Sequence, residues 1–240
     1  MMSRRVASVV AVLALAVGGC SVRLGGPKPH TYTAVALVDA GGDPAAVANQ
    51  LMTAGADVVL LSSPADSVWF AEVARQTQLT LSGPGQTGPA RLALLSRLKV
   101  LGDTALALAA GSGRLHVMDA LYEVDKNRNL DLMLMQIGDS TPAREAVRAL
   151  LSYYATDVGG TSAVLLALRA PTPQAADSAA LLLRSAFGNV LDCEKEKEAT
   201  PAPASTLRFF YGPPARIECE RGRLVAASPP TIVGRVVVGR

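Results

Sequence analysis

Continuous apolar runs alternate with amphipathic stretches through the first third of the chain, punctuated by Gly, Pro and Asp. Ala34–Asp39 is one such run, the pattern of a strand covered on both faces. Gly41-Gly42 breaks it, and Asp43-Pro44 predicts an N-cap followed by proline at the first helical position. Val47, Leu51 and Met52 give that helix an apolar face, and Gly55 ends it. A second run, Asp57–Ser62, leads into Ser63-Pro64, which repeats the cap-and-proline pattern. It predicts a helix carrying Val68, Trp69, Ala71 and Val73 to Gln76. Leu79–Ser82 is a shorter strand running into Gly83-Pro84-Gly85. This rhythm predicts parallel strands joined by right-handed crossovers. Leu92, Leu95 and Leu98 lie at helical spacing and predict a third helix over 88–101.

The period then changes. Leu106/Leu108, Leu115/Val117 and Leu130/Leu132/Leu134 alternate within the runs Thr104–Ala110, Arg114–Val124 and Leu130–Ile137. Short polar turns separate these runs, so they predict an antiparallel meander. Met118, Leu121 and Tyr122 also fit a helical face, and that alternative stays open for 115–125. After Gly138, Thr141-Pro142 predicts a helix with Ala146, Val147, Leu150, Leu151 and Tyr154 inward. Ala163–Leu168 reads as a buried strand, Pro173–Phe187 as a helix stopped by Gly188-Asn189, and Val190–Cys193 as a strand. Glu194–Ser205 is charged and Pro/Ala-rich, the composition of a solvated, mobile loop. The tail predicts strands at Leu207–Tyr211, Arg216–Cys219, Arg223–Ala226 and Ile232–Val238, with turns at Pro213-Pro214 and Glu220-Arg221-Gly222. The expected fold class is α/β, or α+β: a mixed sheet with parallel βα units, a central antiparallel meander and an all-β tail. Residues 34–240 are expected to form a single globular domain.

The opening segment stands apart. Arg4 and Arg5 precede an apolar run, Val6–Val17, which ends in Val17-Gly18-Gly19-Cys20. A charged start, a short apolar core and small residues at a cut site make a secretory signal. The run is too short for a membrane-spanning helix, which needs about 20 apolar residues. Cleavage after Ala16, giving a soluble secreted protein, is the alternative, but that site lies inside the apolar core. Because small residues lead directly into a cysteine, the segment resembles the lipobox of bacterial lipoproteins. Val17 replaces the commoner leucine and Gly18 the commoner alanine or serine. The resemblance implies that residues 1–19 are removed, that Cys20 carries a diacylglycerol thioether and that the new amino terminus is acylated. Residues 20–33, with Gly25, Gly26, Pro27 and Pro29, are expected to be a flexible tether. Ser21 after the cysteine leans towards the periplasmic face of the outer membrane.

Composition narrows the rest. The 240-residue chain has a formal charge of +3, and Arg4 and Arg5 leave with the signal. A near-neutral remainder without a basic patch led to the expectation of no nucleic-acid partner. The chain is 50% hydrophobic and only 4% aromatic, so its core must be built from Ala, Leu and Val. With Cys20 taken by lipid, Cys193 and Cys219 read as one disulfide in an oxidising compartment; two unpaired thiols are the alternative.

Candidate chemistry is sparse. Asp39-Ala40-Gly41-Gly42-Asp43 joins a strand to a helix, where backbone N–H groups can hold an anion, but Asp43 as a cap explains it. In a parallel sheet this loop would cluster with Ser62, Ser63 and Ser82 at the carboxyl edge, where such folds place ligands. Asp39, Gly41, Gly42, Ser62, Ser63 and Ser82 are therefore the candidate ligand residues. His30 and His116 are the only histidines, and no G-x-S-x-G is present, so a serine triad would rest on His116. Asp125, Asn127, Asn129 and Asp131 alternate as in a calcium loop. Leu130 stands where glycine is needed and Gln136 where glutamate is needed, so a hairpin turn is the better reading. No metal or cofactor is expected.

The leading functional expectation is a lipid-anchored envelope protein without catalysis, acting through protein–protein or envelope contacts. The second is a small-ligand-binding lipoprotein of the transporter-receptor type, with its cleft at the edge of the first strands. The third is an envelope hydrolase, which needs His116 beside a serine and a carboxylate. Expected partners are the membrane, through the anchor, and an envelope protein.

Overall fold

A computed structural model describes residues 28–85, 91–158, 162–193, 205–227 and 229–239. The signal, Cys20 and the loop at 194–204 lie outside the described residues. The elements in chain order are β1 (His30–Leu37), α1 (Pro44–Thr53), β2 (Val58–Ser63), α2 (Ser67–Thr77), β3 (Thr80–Gly85), β4 (Arg91–Ser96), β5 (Lys99–Ala110), β6 (Gly113–Asp125), β7 (Arg128–Ile137), α3 (Ala143–Tyr153), β8 (Ala163–Arg169), α4 (Pro173–Leu183), β9 (Gly188–Asn189), β10 (Leu207–Gly212), β11 (Ile217–Ala227) and β12 (Pro230–Val238). A π turn follows α3 at Tyr154–Val158, and a 3-10 turn follows β9 at Val190–Asp192.

The strands form two mixed six-stranded sheets, ordered β11-β12-β1-β2-β4-β3 and β5-β6-β7-β8-β10-β9. Their inner faces meet in one apolar core, with Ala34, Ala36, Leu60, Leu94, Leu132, Leu134, Leu165 and Phe209 fully buried. Helices α1 and α2 cover the outer face of the first sheet through Leu51, Phe70 and Val73. Helices α3 and α4 cover the second through Val147, Leu150, Ala176 and Leu183. The result is a four-layer α/β/β/α sandwich, in which each apolar face has a partner.

Several predicted elements are present with their capping chemistry. The Asp43 carboxylate accepts a hydrogen bond from the Ala45 N–H ahead of Pro44, as predicted; Thr172 caps α4 without having been foreseen, while Thr141 bonds to the Arg114 backbone instead of capping α3, which starts at Ala143. β5, β6 and β7 are the antiparallel meander. Asp125 is spent on the turn, accepting from the Asn127 N–H and pairing with Arg128, so the calcium-like spacing is a hairpin.

Other expectations change. Only β1–β2 and β7–β8 pair in parallel, and the rest of both sheets is antiparallel. The helix expected at 88–101 is absent among the described residues; β4 lies there, inserted between β2 and β3. Leu92, Ala93, Leu94 and Leu95 are all buried, because a central strand covered on both faces shows no alternation. His30–Thr33, assigned to the tether, starts β1 and pairs with β12. Ser63 is not a helix cap; Asp66 caps α2 through the Trp69 N–H. Val190–Cys193 forms the 3-10 turn rather than a strand. β11 runs unbroken through Glu220-Arg221-Gly222, with a bulge between Cys219 and Arg221 where a turn was expected.

Cys193 and Cys219 are disulfide-bonded, with 26 residues of separation. The bond ties the segment after β9, on the second sheet, to β11 at the edge of the first. A crosslink closing a loop of that length stabilises by about 3 kcal/mol on chain entropy.

Candidate active site

The register puts the carboxyl ends of β1, β2, β7 and β8 at one end of the sandwich. Residues of β7 and β8 alternate between the two faces of their sheet. Leu130, Leu132 and Leu134 of β7 and Ala163, Leu165 and Ala167 of β8 point into the inner core. The next inward positions on these strands are Gln136 and Arg169, which are register partners. On β6, Met118, Ala120 and Tyr122 point inward, so His116 does too, and it pairs with Gln136. His116, Gln136 and Arg169 therefore form a polar row across three strands, spanning about 10 Å at the usual strand spacing. On the facing sheet, Ser62 is the last inward residue of β2, and β2 packs across β7.

This row is electrostatically unsatisfied. Ser62 and Gln136 are 0% and 1% exposed, and Ser62 Oγ, Gln136 Oε1 and Nε2, and His116 Nδ1 have no hydrogen-bond partner among the described residues. Leaving a buried polar group unpaired costs about 1–3 kcal/mol, so a fold rarely retains several together without use. Burial, aided by the charge of Arg114, lowers the His116 pKa below its ordinary 6.5, so the ring is neutral at pH 7. No serine or carboxylate partner of His116 is present among the described residues, so the triad that the third reading required is not assembled.

One ion pair crosses the mouth between the sheets: Arg169 Nε donates to Asp39 Oδ1 at 2.7 Å. The terminal guanidinium nitrogens of Arg169 make no hydrogen bond among the described residues and remain donors. Asp39 follows β1 with φ of +56°, a left-handed backbone uncommon for a side-chain-bearing residue. Such strain concentrates at ligand sites. The loop behind it is pinned: Ser63 Oγ donates to Ala40 O, and Trp69 Nε1 donates to Gly42 O at 2.9 Å.

The sequence candidates thus divide. Asp39 and Ser62 lie at this edge with His116. Gly41 and Gly42 are exposed in the adjoining loop, and Ser63 secures that loop. Ser82 pairs with Leu94, level with Leu60 and deeper in the core, where Tyr122 OH donates to its hydroxyl at 3.1 Å. Burial raises that tyrosine's pKa to about 12. Gln136 and Arg169 were missed. Their signal was a polar side chain at the carboxyl end of an otherwise apolar buried run. Among the described residues no three His, Cys, Asp or Glu side chains converge as metal ligands. The chemistry on offer is one guanidinium paired with one carboxylate, one neutral imidazole, one amide and one hydroxyl.

The four-layer sandwich is similar in fold to solved endonuclease/exonuclease/phosphatase proteins. The chain matches such a protein from Bacteroides vulgatus with a TM-score of 0.71 at 9% identity, covering 87% of this chain and 99% of that one. It matches D. rerio TDP2 complexed with a single-strand DNA product at 0.64 and 11% identity, covering 86% and 98%. A Bacteroides thetaiotaomicron mannosyl-6-phosphatase matches at 0.64 and 10% identity, covering 86% and 99%. No protein-family model matches the sequence, and no curated protein does.

Three expectations are corrected by these matches. The reading as a non-enzymatic contact protein, with a transporter-type binder second, rested on finding no catalytic motif. It fails because the fold is shared with nucleases and phosphatases. The leaning against an enzyme falls for the same reason, since it too rested on the lack of a contiguous motif. The exclusion of nucleic acid fails because a structure of this fold holds a DNA product. Net charge constrains a broad electrostatic footprint and says nothing of a local site.

A second polar cluster lies on the opposite face of the second sheet. Asp131 is 3% exposed, and burial together with the neighbouring Asp119 carboxyl raises its pKa to about 9. Tyr153 OH, from α3, donates to Asp119 at 2.6 Å. The folded chain keeps the Asp131 proton that the unfolded chain releases near pH 4, so this group erodes stability as pH rises from about 4 to 9. Asp131→Asn should therefore match the parent in thermal melts near pH 4 and exceed it increasingly up to pH 9. A constant difference across that range would contradict the assignment.

Proposed function

We propose that the chain is a hydrolase of phosphoesters acting at the strand edge that carries Asp39, Ser62, His116, Gln136 and Arg169. One observation carries the reading: orphaned buried polar atoms gather beside an arginine at the carboxyl edge, in a fold shared with phosphatases and nucleases. Arg169 takes a phosphoryl oxygen on its terminal nitrogens, the charge-assisted geometry that guanidinium suits best. His116, neutral at pH 7, accepts the proton of the attacking water at Nδ1. The water oxygen bonds to phosphorus, the ester P–O bond breaks, and the departing alkoxide takes the proton back from the imidazolium.

The address belongs to the same proposal. Cys20, acylated and tethered, anchors the chain at the periplasmic face of the outer membrane. β1 begins at His30, at the end of the sandwich opposite that edge. The anchored protein then presents the edge away from the bilayer, towards substrates of the envelope space.

Turnover of p-nitrophenyl phosphate and bis(p-nitrophenyl) phosphate by the mature chain tests the reading. The rate should fall on acidification, with a midpoint below pH 6.5. His116→Asn should lower kcat by roughly a hundredfold or more, the usual worth of a positioned base. Turnover of neither ester, or a rate unchanged in His116→Asn, would overturn it.

A further inference from the structure

We infer that Gln136, together with Ser62 on the facing strand, is a subsite that reads the hydroxyl groups of a sugar phosphate, uncovered when the phosphoryl group displaces Asp39 from Arg169. This rests on the phosphoester reading and adds a substrate class to it. The Gln136 amide has one acceptor and two donors, all buried and all unpaired. A carboxylate would satisfy only the donors, an ammonium only the acceptor, and an apolar group neither. A group that both donates and accepts satisfies the amide and the Ser62 hydroxyl alike, and the hydroxyls of a sugar do so.

Position favours the hydroxyl over the edge of a base. Gln136 is one strand spacing from Arg169, about 5 Å, which suits a hydroxyl a few bonds from a phosphoryl group on that arginine. Bases bind on aromatic platforms, and none lies in this row among the described residues. Trp69 is packed with the outer-face core and bonded to Gly42, while Tyr122 and Phe209 are buried in the inner core.

Access follows from the same geometry. The unpaired atoms are shielded in this structure, and the Asp39–Arg169 pair spans the mouth beside them. A doubly charged phosphoryl group competes with a single carboxylate for the guanidinium. The left-handed backbone at Asp39 favours release of that residue.

Calorimetric titration of the mature chain tests this, using inorganic phosphate, ethyl phosphate, glucose 6-phosphate and ribose 5-phosphate, with a dinucleotide as a final arm. The sugar phosphates should bind at least tenfold more tightly than ethyl phosphate, and Gln136→Met should erase that margin, bringing the sugar phosphates to the affinity the same variant shows for ethyl phosphate. Ser62→Ala should narrow the margin in the same direction. Relieved of an unpaired amide, Gln136→Met should also melt about 3–8 °C higher. A margin that survives in Gln136→Met, or a variant that melts lower than the parent, would overturn the subsite and leave the phosphoester reading standing. Failure of the parent to bind inorganic phosphate would overturn both. Preference for the dinucleotide over ribose 5-phosphate would identify a nucleotide as the source of the sugar, and the reverse a free sugar phosphate.

Discussion

Gly222→Ala should cost at least about 3 kcal/mol, the range of severe core overpacking, and leave little folded protein at 37 °C. An ideal Cβ at Gly222 would sit 1.7 Å from Val190 O and 2.5 Å from Val190 C, a collision with backbone rather than with a movable side chain. Neither partner can retreat. The 3-10 turn at Val190–Asp192 is capped by Asn189, whose side chain accepts from the Leu191 N–H, and it leads into Cys193, bonded to Cys219 on β11. The cross-strand neighbour Gly234 is also close, with Val190 Cγ1 2.8 Å from its ideal Cβ. Two glycines on adjacent strands thus form a saddle that receives the turn and joins the sheets at that edge. Gly41→Ala is the control, since nothing lies within 4 Å of its ideal Cβ and the residue is exposed. Urea unfolding of both variants checks the claim. A Gly222→Ala midpoint matching the parent would refute the close packing.

Arg169→Met should lose phosphate affinity by roughly two orders of magnitude while folding almost normally. The guanidinium reaches across this edge between the sheets, and a hydrogen bond to a charged group is worth about 1.5–3 kcal/mol. Its contribution to stability is smaller. The Arg169 and Asp39 side chains are 21% and 39% exposed, so solvent screens the pair, and its removal should cost about 1 kcal/mol or less. Methionine keeps the stem length and removes the charge. Loss of binding with a preserved melting curve separates a ligand role from a structural one. Equal loss of both would make Arg169 a strut between the sheets.

Local chemistry was the legible part of the fold. Asp43-Pro44 announces a helix start because a short polar acceptor and a fixed φ suit the first turn, whereas Ser63-Pro64 and Thr141-Pro142 carry the same signal without capping a helix. The meander was readable because its inward and outward positions differ in polarity. β4 was not: with both faces covered, Leu92–Leu95 shows no alternation, and Leu92, Leu95 and Leu98 happen to match a helical face. β11 was cut at Gly222 because glycine after Glu220-Arg221 resembles a turn, whereas its use here is to let another backbone approach. That the strands divide into two sheets depends on long-range pairing, such as β1 with β12, which no local pattern carries.

Legibility of the site followed the same division. Asp39 and Ser62 were accessible because strand ends in βα units are the expected place for ligands. His116 was noticed for its rarity but assigned to an ordinary strand position. Gln136 and Arg169 were passed over because each sits in a run otherwise apolar. Only the register reveals that they stand side by side with His116. The absence of a contiguous motif was then read as absence of chemistry, and the shared fold overturned that step.

The most direct test of the phosphoester reading is a backbone amide titration by NMR with inorganic phosphate, on the mature chain and on Arg169→Met. The account predicts saturable shifts confined to the Asp39–Gly42 loop, Ser62–Ser63, His116, Gln136 and Arg169–Ala170, abolished in the variant. Shifts absent from that edge, or unchanged in Arg169→Met, would contradict it.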